Sequence, residues 1–295
     1  MRYGVVILPE HHWPEARARW RRAEELGFDH AWTYDHLSWR WLRDEPWFGV
    51  VPTLAAAAVA TSRIRLGALV ANPGLRHPAT FAKELMTLDD ISAGRVVCAV
   101  GAGGYDSDVL TGTPGAGGRA TRFAEFVELT DRLLRGERVG YAGEHYHCRD
   151  LVLTPACVQR PRIPLAVAAA GPAGMRLAAR FADTWVTSGV ANGFDPEPFP
   201  RTVPVLRRQL DAMERACAEV GRDPATIDRL LLTGASVGGV LDSVAAFQDA
   251  AATFAGLGFT DLVVHWPRSQ FPYRARMDVF EQIAGSLPGR PEGAA

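Results

Sequence analysis

The chain has 295 residues, 47% hydrophobic and 22% charged, a composition that sustains a sizeable core and excludes disorder as the dominant state. Thirty-two Lys and Arg stand against 33 Asp and Glu, a formal net charge of −1. No global field therefore draws the chain to nucleic acid or to an anionic membrane.

Strand-like and helix-like stretches alternate. Residues 2–8 form a short β-branched run closed by Pro9, and 14–27 carry Trp20, Ala23 and Leu26 at helical spacing, ending at Gly27. Ala31 to Tyr34 is strand-like, and 49–61 is an alanine-rich helix. The pattern continues with strand 64–70, helix 78–92, strand 95–100 and helix 120–134. It resumes with strand 164–169, helix 172–181, strand 184–188, helix 201–220, strand 229–237, helix 242–256, strand 260–265 and helix 277–286. Runs such as Val96 to Val100 suit strands buried on both faces, as parallel sheets require. Eight β/α units in one chain predict an α/β fold, a single (β/α)8 TIM barrel over residues 1–287. An open doubly wound sheet is the alternative, because periodicity does not report closure.

Residues 138–155 break the alternation and read as an inserted β-hairpin turning near Ala142-Gly143 or Gly143-Glu144. The Gly/Pro-rich stretches 102–118 and 189–200 follow strands, which puts both long loops at the C-terminal face of a barrel, where ligands bind. Residues 288–295 read as a frayed tail. Cys98, Cys148, Cys157 and Cys217 form no CxxC pair, so neither a disulfide framework nor a zinc site is expected. The first residues lack the pattern of a signal peptide, and the longest apolar run, Thr53 to Ala60, is far below the roughly 18 residues of a membrane span. The expectation is a soluble, cytoplasmic protein.

Chemistry concentrates at strand ends. After the second strand comes Tyr34-Asp35-His36-Leu37-Ser38-Trp39-Arg40-Trp41, a carboxylate and an imidazole beside two tryptophans. Imidazole is suited to proton transfer near neutrality, although a structural loop capped by tryptophans would look the same. Gly101-Ala102-Gly103-Gly104 lets backbone N–H groups approach a phosphate or a ring carbonyl, or serves a tight turn. Ala168 to Gly174 runs into a helix whose N-terminus could take an anion, with Pro172 at a favoured first position, or simply packs. His265-Trp266-Pro267-Arg268 at the last strand either holds a substrate or seals the barrel. A metal site from Glu10, His11, His12, Asp35, His36 and His265 lacks the His-x-His spacing of barrel hydrolases, and no nucleophile elbow occurs. No metal is expected.

The order of several motifs is more specific than any one of them. Ala23-Glu24-Glu25-Leu26-Gly27-Phe28-Asp29 leads to Asp35-His36, followed by Arg63 to Gly67, Arg76-His77-Pro78-Ala79 and Thr87 to Arg95. Val100 to Gly103, Arg160 to Leu165 and Ala178 to Trp185 complete the series. From residue 2 to about 285 the chain resembles the bacterial luciferase-like family of flavin- and deazaflavin-dependent oxidoreductases.

The resemblance implies a TIM barrel with a flavin or deazaflavin ring at its C-terminal mouth. It implies a non-prolyl cis peptide at Leu69-Val70 backing the ring, and His36 as the catalytic group near the reactive position. Asp35, Gly101, Gly103, Gly104, Ala170, Gly171 and Gly174 fall on the cofactor side, and Trp39, Trp41, His265 and Trp266 around the substrate. The family's sugar-phosphate dehydrogenases carry an acidic residue, and luciferase an arginine, about where this chain has Gly104, so neither reaction follows. Phosphate contacts fall to arginine, backbone N–H groups, or the hydroxyls of Thr187 and Ser188. The reading is an oxidoreductase passing a hydride between coenzyme F420 and an apolar or aromatic small molecule. The alternatives are an FMN-dependent monooxygenase of a two-component system and a non-catalytic flavin-binding barrel. A separate flavin or F420 reductase and a homodimer are implied by the same resemblance; nucleic acid and membrane are not.

Overall fold

In a computed structural model of the chain, residues 1–103, 118–189 and 196–288 are described. Eight parallel strands carry the fold: β1 (Arg2–Val6), β2 (His30–Thr33), β3 (Arg65–Ala68), β4 (Cys98–Val100), β5 (Leu165–Ala168), β6 (Thr184–Thr187), β7 (Asp228–Leu232) and β8 (Asp261–His265). They hydrogen-bond in the order β3-β2-β1-β8-β7-β6-β5-β4. The two ends of that order meet through bridges between Leu66 and Val96 and between Ala71 and Val100, with Ala71 N donating to Ala99 O at 2.8 Å. The sheet is a barrel, not an open doubly wound sheet.

The helices are α1 (Trp13–Glu25), α2 (Val50–Ala60), α3 (Pro78–Ile91), α4 (Arg119–Leu134), α5 (Pro172–Phe181), α6 (Phe199–Glu219), α7 (Val244–Gly256) and α8 (Met277–Gly285). Local chemistry sets their starts. Pro78 and Pro172 occupy first-turn positions where a missing N–H costs nothing, and the Ser243 hydroxyl accepts from Ala246 N.

Alternation along each strand divides the core in two. Val6, Trp32, Val97, Ala99, Ala166, Val186, Leu230 and Val263 form the cluster inside the barrel. Val5, Ala31, Leu66, Cys98, Val167, Trp185, Leu231 and Leu262 face the helices. Both sets are buried, which is why these strands read as continuous apolar runs.

A polar cluster joins the N-terminal ends of the strands. Trp32 Nε1 donates to His30 Nδ1 at 2.6 Å, which leaves the His30 proton on Nε2, 3.1 Å from Asp261 Oδ1. Arg2 donates to both Asp261 oxygens at 2.7 and 2.6 Å. Burial alone would raise the Asp261 carboxyl, but the hydrogen bonds from His30 and Arg2 outweigh it and hold it well below the usual carboxylate range.

Two expectations change in detail. The expected strand 229–237 leaves the barrel after Leu232, and Val237–Gly238 pairs instead with Glu197–Pro198. The inserted hairpin pairs Val139–Ala142 with His147–Leu151, but its turn is longer than two residues. Gly143 N donates to Tyr146 O, while the N–H groups of Glu144, His145 and Tyr146 converge on the Glu125 carboxylate of α4 at 2.7, 2.9 and 3.1 Å. That side chain, distant in sequence, fixes the loop. Of the tail, residues 289–295 lie outside the described residues.

Candidate active site at the barrel mouth

The C-terminal ends of β2 to β7 and the loop after β8 surround one cavity of about 450 Å³, within the range of small-molecule sites. Its lining differs from side to side. The ends of β3, β4 and β5 contribute Leu69, Val70, Asn72, Gly101, Gly103 and Ala168 to Ala170. The segment after β2 contributes Tyr34, His36, Trp39 and Arg40, and the loop after β8 contributes Tyr273.

The small-residue side is shaped by what a side chain would strike. A Cβ on Gly101 would stand 2.4 Å from Val70 Cγ2, and one on Gly103 would stand 2.5 Å from Asn72 Oδ1. Gly103 also has φ +71°, a conformation open chiefly to glycine. The Leu69-Val70 peptide is cis.

The other side is flat and aromatic. The Trp39 ring, 3% exposed, lies near-parallel to Trp47 and to Tyr273, with centroids 5.8 Å away in each case. Tyr273 in turn lies on the His265 imidazole at 3.4 Å. Because β8 is four strands removed from β4 around the barrel, Tyr273 enters from across the mouth relative to Gly101. The loop bearing Tyr273 is tied back by Arg268, whose guanidinium holds Glu10 at 2.9 Å and the carbonyls of Phe271 and Pro272.

His36, half-buried at the cavity, has its ring edge-on to Tyr34 at 6.1 Å. Asp35 faces the other way. Its carboxylate accepts from Asn72 N at 2.9 Å and from Arg76 Nη2 at 2.6 Å, fixing the loop after β3. Thr187 donates to Gln209 Oε1 at 2.7 Å and accepts from Gly189 N at 3.1 Å, which organises the loop after β6. Two guanidinium groups, Arg40 and Arg119, stand at the cavity.

The fold thus brings His36, Leu69, Val70, Gly101, Gly103, Ala170 and Trp39 to one cavity. It does not bring all the expected residues there. Asp35 is buried behind the wall, since its charge is taken by Arg76. Gly171 and Gly174 sit at the start of α5, outside the lining, and a Cβ on Gly174 would touch Ala169 at 3.0 Å. Trp41 is 44% exposed and packs edge-on to Phe271. Trp266 points to the helix layer, against Phe280 at 5.2 Å, because it is one residue out of phase with the interior face of β8. His265 is buried behind Tyr34 and Tyr273, and desolvation pushes its imidazole down to about 3, so it is neutral. Gly104 lies outside the described residues. Among the described residues no group of three or more His, Cys, Asp or Glu could hold a metal ion.

Arg40, Asn72, Arg119 and Tyr273 line the cavity without having been singled out from the sequence. Lys83 is the only lysine in the sequence, which points to arginine as the anion ligand but not to which arginines. Tyr273 had no such signal, since its position depends on a loop conformation with φ +61°.

The family described as luciferase-like monooxygenase matches residues 1–282 of this chain. An F420-dependent glucose-6-phosphate dehydrogenase of Microbacterium testaceum is 33% identical over 215 residues, 71% of this chain and 60% of that protein. The chain thus spans about 60% of the length of the first curated relatives it matches. A 5,10-methylenetetrahydromethanopterin reductase of Methanopyrus kandleri is 28% identical over 275 residues, covering 89% of this chain and 73% of that one. The solved coenzyme F420-dependent tetrahydromethanopterin reductase from the same organism superposes with a TM-score of 0.76 at 20% identity, over 97% of both chains, and so shares the fold.

Proposed function

The chain belongs to the luciferase-like monooxygenase family, and from that premise we propose that it is an F420-dependent oxidoreductase acting on an apolar or aromatic small molecule. The observation that carries the reading is the cavity itself. Small residues at Gly101, Gly103 and Ala168 to Ala170 face, across the barrel, the flat wall of Trp39 and Tyr273. The absence of a Cβ at Gly101, where one would strike Val70, leaves backbone open to a planar ring on this side of the cavity. The named activities of the relatives support the choice of F420 over FMN.

When bound, a deazaflavin supplies a ring carbon that gives or takes a hydride. Gly101, Gly103, Val70 and Ala170 would hold the ring. Arg40, Arg119 and the hydroxyl of Ser188 would meet anionic groups of its tail, where a guanidinium offers paired donors to a phosphate or carboxylate; the Thr187 proton is already given to Gln209. His36 would hold or release the proton at the substrate oxygen as the carbon changes oxidation state. The stacked Trp39 and Tyr273 would bind the apolar part of the substrate and exclude water. Assembly as a homodimer, a cytoplasmic location and supply of reduced cofactor by a separate reductase belong to the same proposal. Among the described residues no helix is long and apolar enough to cross a membrane.

Fluorescence titration of the purified protein with F420 and, separately, with FMN tests the reading. Micromolar binding of F420 alone is expected. Binding of FMN alone would turn the assignment to a two-component monooxygenase, and binding of neither would remove it.

A further inference from the structure

Gln209 stands in the middle of α6, outside the cavity lining, and its amide meets both ends of the turn that follows β6. Thr187 Oγ1 donates to Gln209 Oε1 at 2.7 Å, and Gln209 Nε2 donates to the Gly189 carbonyl at 2.5 Å. Gly189 N donates back to Thr187 Oγ1 at 3.1 Å. These bonds close a ring around Ser188, the one residue of the turn that takes no part in them.

The acceptors fix the sense of each bond. A carbonyl oxygen only accepts, so the Gln209 amide nitrogen faces Gly189 and its oxygen faces Thr187. The Thr187 oxygen, which accepts from Gly189 N, gives its own proton to Gln209. Thr187 is 4% exposed, and Gly189 is buried with φ +89°, a conformation open chiefly to glycine. The polar groups of the Thr187 side chain are thus spent on the turn. Alternation along β6 puts Val186 inside the barrel and the Thr187 side chain toward α6. The next side chain, Ser188, returns to the cavity that it lines. Ser188 is half-buried, and its hydroxyl makes no hydrogen bond to a described residue. An unspent hydroxyl proton in the cavity that also holds Arg40 and Arg119 suits an anion.

We propose that Gln209 is a positioning residue that clamps the Thr187–Gly189 turn and so aims the Ser188 hydroxyl at an anionic group of the cofactor tail. The assignment rests on the F420 reading above and deepens it. Gln209 acts through Ser188 and touches neither cofactor nor substrate.

The test is a double-mutant cycle of Ser188→Ala and Gln209→Leu, read by fluorescence titration with two probes. One is F420, and the other is its tail-free core, the deazaflavin ring and ribityl chain without phosphate. Each single substitution should weaken F420 by about tenfold, the scale of one hydrogen bond to a charged group. The double variant should lie within about twofold of Ser188→Ala, because a clamp has no effect once the group it aims is gone. The tail-free core should bind all four chains within about twofold. Gln209→Glu gives a second reading should leucine cost the fold. At about pH 8 its carboxylate faces the Gly189 carbonyl, and F420 affinity should fall relative to the parent chain. At about pH 5 a protonated carboxyl donates to that carbonyl, and affinity should return toward the parent. Multiplying losses in the double variant, equal losses for F420 and the tail-free core, or unchanged F420 affinity in Gln209→Leu and Gln209→Glu would overturn the proposal while leaving the cofactor reading in place. Failure of the parent chain to bind F420 would overturn the cofactor reading and this assignment with it.

Discussion

Asp35 and Arg76 form an ion pair at 2.6 Å whose two side chains are 4% and 15% exposed, and the second Asp35 oxygen holds the backbone of Asn72. A residue adjacent to His36 in sequence thus acts on the loop after β3, and through Asn72 on the cavity wall. Removing one partner of a nearly buried pair strands the other charge. Asp35→Ala should lower unfolding free energy by about 3–5 kcal/mol, measured by urea denaturation. A loss below about 1 kcal/mol would show that the pair is not the anchor described.

His36→Ala tests the proton role. With F420 and an alcohol substrate, turnover should fall by about 10²–10⁴, while F420 affinity from fluorescence titration stays within a few-fold. Intact turnover with failed cofactor binding would make His36 a binding residue.

Gly103→Ala and Gly171→Ala make a matched pair. The first places a Cβ 2.5 Å from Asn72 Oδ1 at a positive φ, whereas at Gly171 nothing lies within 4 Å. Overpacking costs about 1–3 kcal/mol, so Gly103→Ala should weaken F420 binding by about tenfold or more, a tenfold change being about 1.4 kcal/mol. Gly171→Ala should leave both stability and binding within about twofold. Equal effects at the two positions would show that the glycine at 103 does not shape the slot.

His265 makes stability depend on pH. Its folded value, about 3, is below the unfolded value of 6.5, so the unfolded chain binds the proton more readily between these limits. The neutral folded form is fully favoured above about pH 6.5, and stability is lost as pH falls toward 3. The slope should approach a little over 1 kcal/mol per pH unit. His11 and His77 are also lowered by burial and contribute in the same direction. The difference between the parent chain and His265→Gln therefore isolates one proton. Parallel curves for the two between pH 4 and 6 would contradict a buried neutral His265.

The sequence by itself determined the order of strands and helices, because continuous apolar runs buried on both faces, helical spacing of apolar residues and a helix opened by Pro172 are local signals. It also determined that His36, Gly101 and Gly103 would sit at strand ends, since a motif after a parallel strand can only lie at one rim. What it could not determine is which way a side chain turns once there. Asp35 turns to Arg76, 41 positions away, and Trp266 points outward although His265, one residue earlier, points inward. Tyr273 reaches the cavity because Arg268 ties its loop to Glu10, 258 positions back. Those placements depend on contacts between segments that only barrel closure brings together, so the tertiary structure alone decided which strand-end residues face the ligand and which hold the others in place.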